Sequence, residues 1–199
     1  MDKPLRLTLI DAGLALLEEG GMAALTLRRT AARAGVSHAA PAHHFDGLPG
    51  LLTAMAARAF ELFAASLQSD DSLPPRDHLL AVCHGYLAFA RAHKGLFHLM
   101  FVSPQVDRAD PAVTPHANCA YLTLRAACLP FAAPGASEDT LLETAVWSLV
   151  HGYAALGFDP AADPRTRFTP PPPFDALLDE LLKGRQTYRP APSFTIVHG

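Results

Sequence analysis

Thr26-Leu27-Arg28-Arg29-Thr30-Ala31-Ala32-Arg33-Ala34-Gly35-Val36-Ser37-His38 is the stretch that decides both the fold and the chemistry. Thr26 is an N-cap candidate for a short helix through Ala34, and Ser37 can cap a second short helix over 38–44. Gly35 between them permits the backbone of a tight turn. Ala31 and Ala34 are small enough for the two helices to approach closely, and Val36 can fill the space between them. Two short helices joined by a glycine turn are the arithmetic of a helix-turn-helix. Between Thr26 and Phe45 there are three arginines, three histidines (His38, His43 and His44) and no acid, a local charge of at least +3. That is the footprint of a surface facing phosphates.

The whole chain hides this patch. Its 199 residues carry a formal charge of −3, which taken alone argues against a basic nucleic-acid coat. Divided, residues 1–58 carry +1 and residues 59–199 carry −4, so the acidity belongs to the longer C-terminal part. With 50% hydrophobic and 18% charged residues the chain can bury a substantial core, which excludes a disordered protein except in local segments. The abundance of alanine leans the expectation to all-α. Cys83, Cys119 and Cys128 form an odd set with no C-x-x-C spacing, as expected of three reduced, buried thiols in a cytoplasmic protein. The longest apolar stretches are broken by charges short of the roughly 18–20 residues of a membrane span, so no membrane partner is expected.

Outward from the motif, the apolar period reads as helix almost throughout. Leu7, Ile10, Leu14 and Leu17 stripe a first helix over 5–19, closed by Gly20-Gly21. A long helix over 49–67 has Pro49 in its first turn and an apolar stripe of Leu52, Met55, Ala56, Ala59, Phe60 and Phe63. Residues 68–76 are turn chemistry. Helical patterning resumes at 77–92 and continues through Gly95 to Phe101, with further helices over 112–129, 138–157 and 174–185. About nine helices result, with no strand-like alternation long enough to build a sheet. The expected division is a DNA-binding domain at 1–48, a helical effector-binding and dimerisation domain at 49–185, and a tail at 186–199.

From Ile10 through Leu52 the chain resembles the N-terminal DNA-binding domain of TetR-family transcriptional regulators. The carrying residues are a first helix ending in Gly20-Gly21, then Thr26-Leu27-Arg28-Arg29, Ala31-Ala32-Arg33-Ala34-Gly35-Val36-Ser37, and His43-His44-Phe45 before a long helix. Gly95-Leu96-Phe97-His98-Leu99-Met100-Phe101 and Trp147-Ser148-Leu149-Val150-His151-Gly152 resemble a Trp-His-Gly subset of that family. The resemblance implies that 38–44 is a recognition helix in the major groove, with Ser37 and His38 at its start. It places Thr26, Arg28 and Arg29 on the backbone or an adjacent groove and His44 beside a phosphate, with His43 also counted among the DNA-binding residues. It also implies a homodimer on a pseudo-palindromic double-stranded operator, a small-molecule effector, and most often repression.

Two positions depart from the family pattern: its tyrosine before His-Phe is Ala42 here, and its lysine at the start of the next helix is Leu48. Each lost phosphate contact removes roughly one unit of salt dependence, so a weaker grip on DNA is expected. A helical small-molecule-binding protein that has lost DNA binding is the alternative, and a helical enzyme using the interior histidines is a more distant one.

Other readings of these residues are weaker. His43 and His44 point about 100° apart on a helix and cannot readily chelate one ion, and His84 and His93 lack an i, i+4 partner, so no metal or cofactor is expected. His98 reads as a pocket or core-edge residue. Phe60, Phe63, Tyr86, Phe89, Phe97, Met100, Phe101 and Tyr121 read mainly as core, with part of the set lining an effector cavity. Trp147 and His151, one helical turn apart, share a face that either packs or meets the effector. No Ser-His-Asp order, phosphate loop or carboxylate pair at catalytic spacing stands out, so enzyme activity is not expected.

Overall fold

A computed structural model describes residues 4–133, 138–157 and 171–185. Among them lie eight α-helices, two short 3-10 helices and no strand. The helices are α1 (Leu5–Ala24), α2 (Leu27–Arg33), α3 (Gly47–Ser66), α4 (Pro75–Ala92), α5 (Lys94–Phe101), α6 (Thr114–Cys128), α7 (Thr140–Ala155) and α8 (Phe174–Leu182). The protein is all-α, as its periodicity predicts. The expected tail at 186–199 lies outside the described residues, as does the proline-rich stretch 158–170.

The chain divides into two compact units, Met1–Gln68 with His84–Thr123 and Ser69–Cys83 with Leu124–Gly199. In the first unit, α1 buries Leu9, Ile10, Leu16 and Leu17, while Leu7, placed on the expected stripe, is 42% exposed. The buried face is therefore rotated from the one the spacing suggests. Near the C-terminal end of α1 the backbone kinks at Gly21 with φ +63°, a conformation glycine adopts without penalty. All six predicted stripe residues of α3 are buried. By length and mean hydropathy α3 could cross a membrane, but 61% of its apolar 18-residue stretch is buried inside the protein, as befits a core helix.

Helical patterning through 77–101 overlooks a break. His93 leaves helical geometry at φ −125°, ψ 55°, and α5 starts afresh at Lys94. The restart sets Gly95 against α1, where an added Cβ would lie 3.2 Å from the Leu17 carbonyl oxygen.

The second unit is pinned by charge. Asp139 caps α7 by accepting from the Leu142 N–H at 3.0 Å, and buried Glu143 returns the bond by accepting from the Asp139 N–H at 3.2 Å. Arg185, beyond α8, donates to Asp139 at 2.6 Å and to the Phe131 carbonyl at 3.4 Å. Arg76 grips Asp179 with two bonds of 2.7 and 2.9 Å. Tyr153 of α7 donates to the Pro172 carbonyl and meets Phe174 edge-on, the ring centroids 5.4 Å apart. Cys83 and Cys128 are buried thiols, and burial pushes Cys128 up to about 12, which makes it inert. Cys119, expected to be buried, is exposed on α6.

Candidate functional site

The helix-turn-helix stretch follows its sequence closely at first. The Thr26 hydroxyl accepts from the Arg29 N–H at 3.2 Å and so caps α2. At the other end, Gly35 adopts φ +71°, Val36 N–H donates to Ala31 O at 3.0 Å, and Gly35 N–H donates to Ala32 O at 3.2 Å. That pair of bonds is a Schellman closure, which turns the chain out of α2. Thr30 and Ala31 are fully buried beneath it.

The second helix differs from expectation. In place of a seven-residue recognition helix over 38–44 there is a single 3-10 turn, Ala40–His43, whose cap is Ala39 and not Ser37. Pro41 is the cause: it has no N–H to give to Ser37, so no α-helical bond can form there. The bonds that do form are mostly the tighter i to i+3 kind, such as Ala40 N–H to the Ser37 carbonyl at 3.0 Å and His44 N–H to Pro41 at 3.0 Å.

Thr26, Arg28, Arg29, Ser37, His38, His43 and His44 are all exposed. Arg33 is differently employed. Its guanidinium donates to both oxygens of Glu19, the Nη1 to Oε2 distance being 2.7 Å. The pairing lowers the Glu19 pKa and raises that of Arg33. An acid from α1 thus enters a patch that holds none in its own sequence. A cation the sequence reading missed also approaches: Arg6 of α1 lies over the Phe45 ring, 5.3 Å from its centroid.

The aromatic candidates are partly gathered. Phe60, Phe63, Tyr86, Phe89, Phe97 and Phe101 form one cluster in the first unit, with Phe63 and Tyr86 centroids at 4.8 Å and Phe97 and Phe101 at 4.9 Å. Met100 is fully buried in the same unit. Burial pushes the Tyr86 phenol well above its ordinary value, so it stays protonated. Tyr121 does not join the buried set, being 38% exposed on α6. His98 is exposed, against the expected core edge. Trp147 and His151 belong to α7 in the second unit, half-buried, and burial lowers the His151 pKa so that its neutral form dominates at pH 7.

Two clefts escaped the sequence reading because distant segments line them. One, of about 270 Å³, is lined by Arg6, by Asp46 to Ala54 at the start of α3, and by Gln105, Asp107 and Asp110. The other, of about 380 Å³ in the second unit, is lined by Leu73, Pro74, Pro75, His78 and Pro130 among others.

The family model described as "Bacterial regulatory proteins, tetR family" matches residues 9–55. That described as "Tetracyclin repressor-like, C-terminal domain" matches residues 79–183. The chain belongs to the TetR family. This TetR-family chain is similar to a solved protein of unknown function from Rhodococcus sp. RHA1, at 25% identity and a TM-score of 0.70, covering 92% of this chain and 96% of that one. It shares its fold with LfrR from Mycobacterium smegmatis, solved in complex with proflavine, at 19% identity and a TM-score of 0.60, covering 94% and 100%. It also shares it with the multidrug binding protein EbrR, solved with imidazole, at 20% identity and a TM-score of 0.58, covering 96% and 99%. No curated protein sequence matches the chain. In this TetR-family transcriptional regulator the N-terminal match covers most of α1, all of α2 and the 3-10 turn, and the start of α3.

Proposed function

We propose that this TetR-family regulator is a homodimeric repressor that a small molecule releases from a pseudo-palindromic operator. The observation that carries the reading is the corner built by Thr26, Gly35 and Pro41. It exposes two arginines, two hydroxyl residues and three histidines together, with the capped α2 N-terminus among them. Hydroxyls, imidazoles and helix N-termini donate to phosphate oxygens, and arginine also reads guanine. Two such heads on a two-fold axis would meet successive major grooves about 34–36 Å apart.

The proposed release runs through α3. Its first turn follows the recognition turn, and its Phe60 and Phe63 stand in the aromatic cluster of the same unit. A ligand that displaces those rings moves the helix that holds the head, so ligand and DNA oppose each other by linkage. LfrR holds proflavine and EbrR imidazole. We carry over the class, a small planar ring molecule, and not those compounds. Trp147 and His151 are kept, within the second unit alone, as candidate effector-contacting residues, as is the Trp-His-Gly subset they suggest. So is the division into a DNA-binding domain at 1–48 and an effector and dimer domain at 49–185.

The test is a mobility shift with a labelled duplex from the region upstream of the coding sequence, at several ionic strengths. A salt-sensitive shift that Arg28→Ala and His44→Ala each weaken supports the reading. Absence of any such shift at low salt overturns it in favour of a ligand-binding protein without DNA binding, the reading that Ala42 and Leu48 favour.

A further inference from the structure

The exposed corner around the recognition turn is short of donors at two flanking positions, since Ala42 and Leu48 carry neither charge nor hydroxyl. A cation from another part of the chain stands at that corner. Arg6 lies in the first turn of α1, is exposed, and holds its guanidinium 5.3 Å from the Phe45 ring centroid. Phe45 is itself fixed: it is buried, and its N–H donates to the Pro41 carbonyl at 2.9 Å. The His44 ring is its neighbour, tilted, with centroids 6.3 Å apart. Arg6 and His44, one of the phosphate-facing side chains of the proposed interface, are thus both neighbours of the same Phe45 ring.

We infer that Arg6 is a further phosphate-contacting residue of the DNA interface, replacing from α1 the donors that positions 42 and 48 lack. The inference rests on the DNA-binding reading. A guanidinium stacked on a fixed ring has already lost much of its rotamer freedom, and its planar fork matches two phosphate oxygens. Arg6 also lines the cleft shared with Asp46, Asp107 and Asp110. Those carboxylates attract the same guanidinium, so phosphate and loop compete for it. Asp110 accepts from the Ala112 N–H at 2.7 Å, a turn that asparagine can also make, so its charge can be removed without losing the loop.

The experiment measures fluorescence anisotropy of the full-length protein with a fluorescein-labelled duplex of mixed sequence across a salt series. Arg6→Gln and Arg6→Met are expected to flatten the plot of log affinity against log salt by about one unit, Met keeping an apolar stem on the Phe45 ring. Arg6→Lys is expected to retain the slope, and Asp110→Asn to tighten binding at low salt. A merely structural Arg6 would change melting temperature and leave the slope alone. A wild-type slope in a folded neutral variant, with Arg28→Ala flattened beside it, overturns the inference and leaves the DNA-binding reading standing. Absence of salt-dependent binding in the wild-type protein overturns both.

Discussion

Arg33 shows why a charge count along the chain is a poor map of a surface. No acid lies within the motif, yet Glu19, fourteen positions earlier, reaches it from α1 and takes both ends of the guanidinium. The patch thus offers Arg28 and Arg29 outright, with Arg33 held back. Glu19→Gln is expected to release that guanidinium and steepen the salt dependence of DNA binding by about one unit, read on the same salt series. An unchanged slope would mean that Arg33 points away from the phosphates even when unpaired. Melting temperature should move little, because exposed pairs contribute little. A second residue acts purely through space. A Cβ on Gly85 would come 2.1 Å from the Ser66 carbonyl oxygen, a backbone atom that cannot swing aside. Gly85→Ala is expected to cost about 2–3 kcal/mol by overpacking, read as a fall in the denaturation midpoint. A stability equal to wild type would show that α4 can shift away from the end of α3 at no cost.

Among elements, α7 offers the clearest test of a cap. Asp139 accepts from Leu142 N–H and from Arg185, and these two, the backbone bond first, hold its carboxyl below the ordinary value of 3.8. A depressed carboxylate stabilises the fold above its unfolded pKa, and that contribution is lost as pH falls through the folded value. Asp139→Ala should therefore cost about 1–2 kcal/mol at neutral pH, with the difference from wild type shrinking below about pH 4. A difference that persists unchanged into acid would assign the effect to packing and not to the charge. Elements of this kind were legible in the sequence wherever period and cap agreed: the α3 stripe from Leu52 to Phe63 is buried as read, and Thr26 caps as read. The misses have local or tertiary causes. Pro41 withholds one N–H and turns the expected recognition helix into a 3-10 turn. The break at His93 serves a packing demand, Gly95 against Leu17, that no period along one helix can reveal. The site was half legible for the same reason. Its exposed donors follow one another in sequence, whereas Arg6, Glu19 and the cleft carboxylates arrive from elsewhere in the chain.

At the scale of the whole molecule the unresolved demand is apolar surface. Leu122 on α6 is 53% exposed, Leu141 on α7 is 81% exposed, and Leu156, the C-cap of α7, is 61% exposed. Large apolar side chains left exposed along one helix mark a surface that another chain can cover. Leu141, Ala145, Ser148, Gly152 and Leu156 recur at spacings of three and four, so one edge of α7 presents leucines at its ends and small residues between them. Small central residues allow two helices to cross closely, and nothing lies within 4 Å of where a Cβ on Gly152 would stand. In an isolated chain, Gly152→Ala should therefore gain stability, since alanine is the better helix former by roughly 1 kcal/mol. In a dimer that crosses at Gly152 the added methyl meets its own copy. Sedimentation velocity of Gly152→Leu and of Leu141→Glu with Leu156→Glu is expected to show monomers of unchanged helicity. On the proposed two-fold operator, the same variants should lose binding far more than on a single half-site. Dimers that persist in both variants would move the two-fold axis off α7.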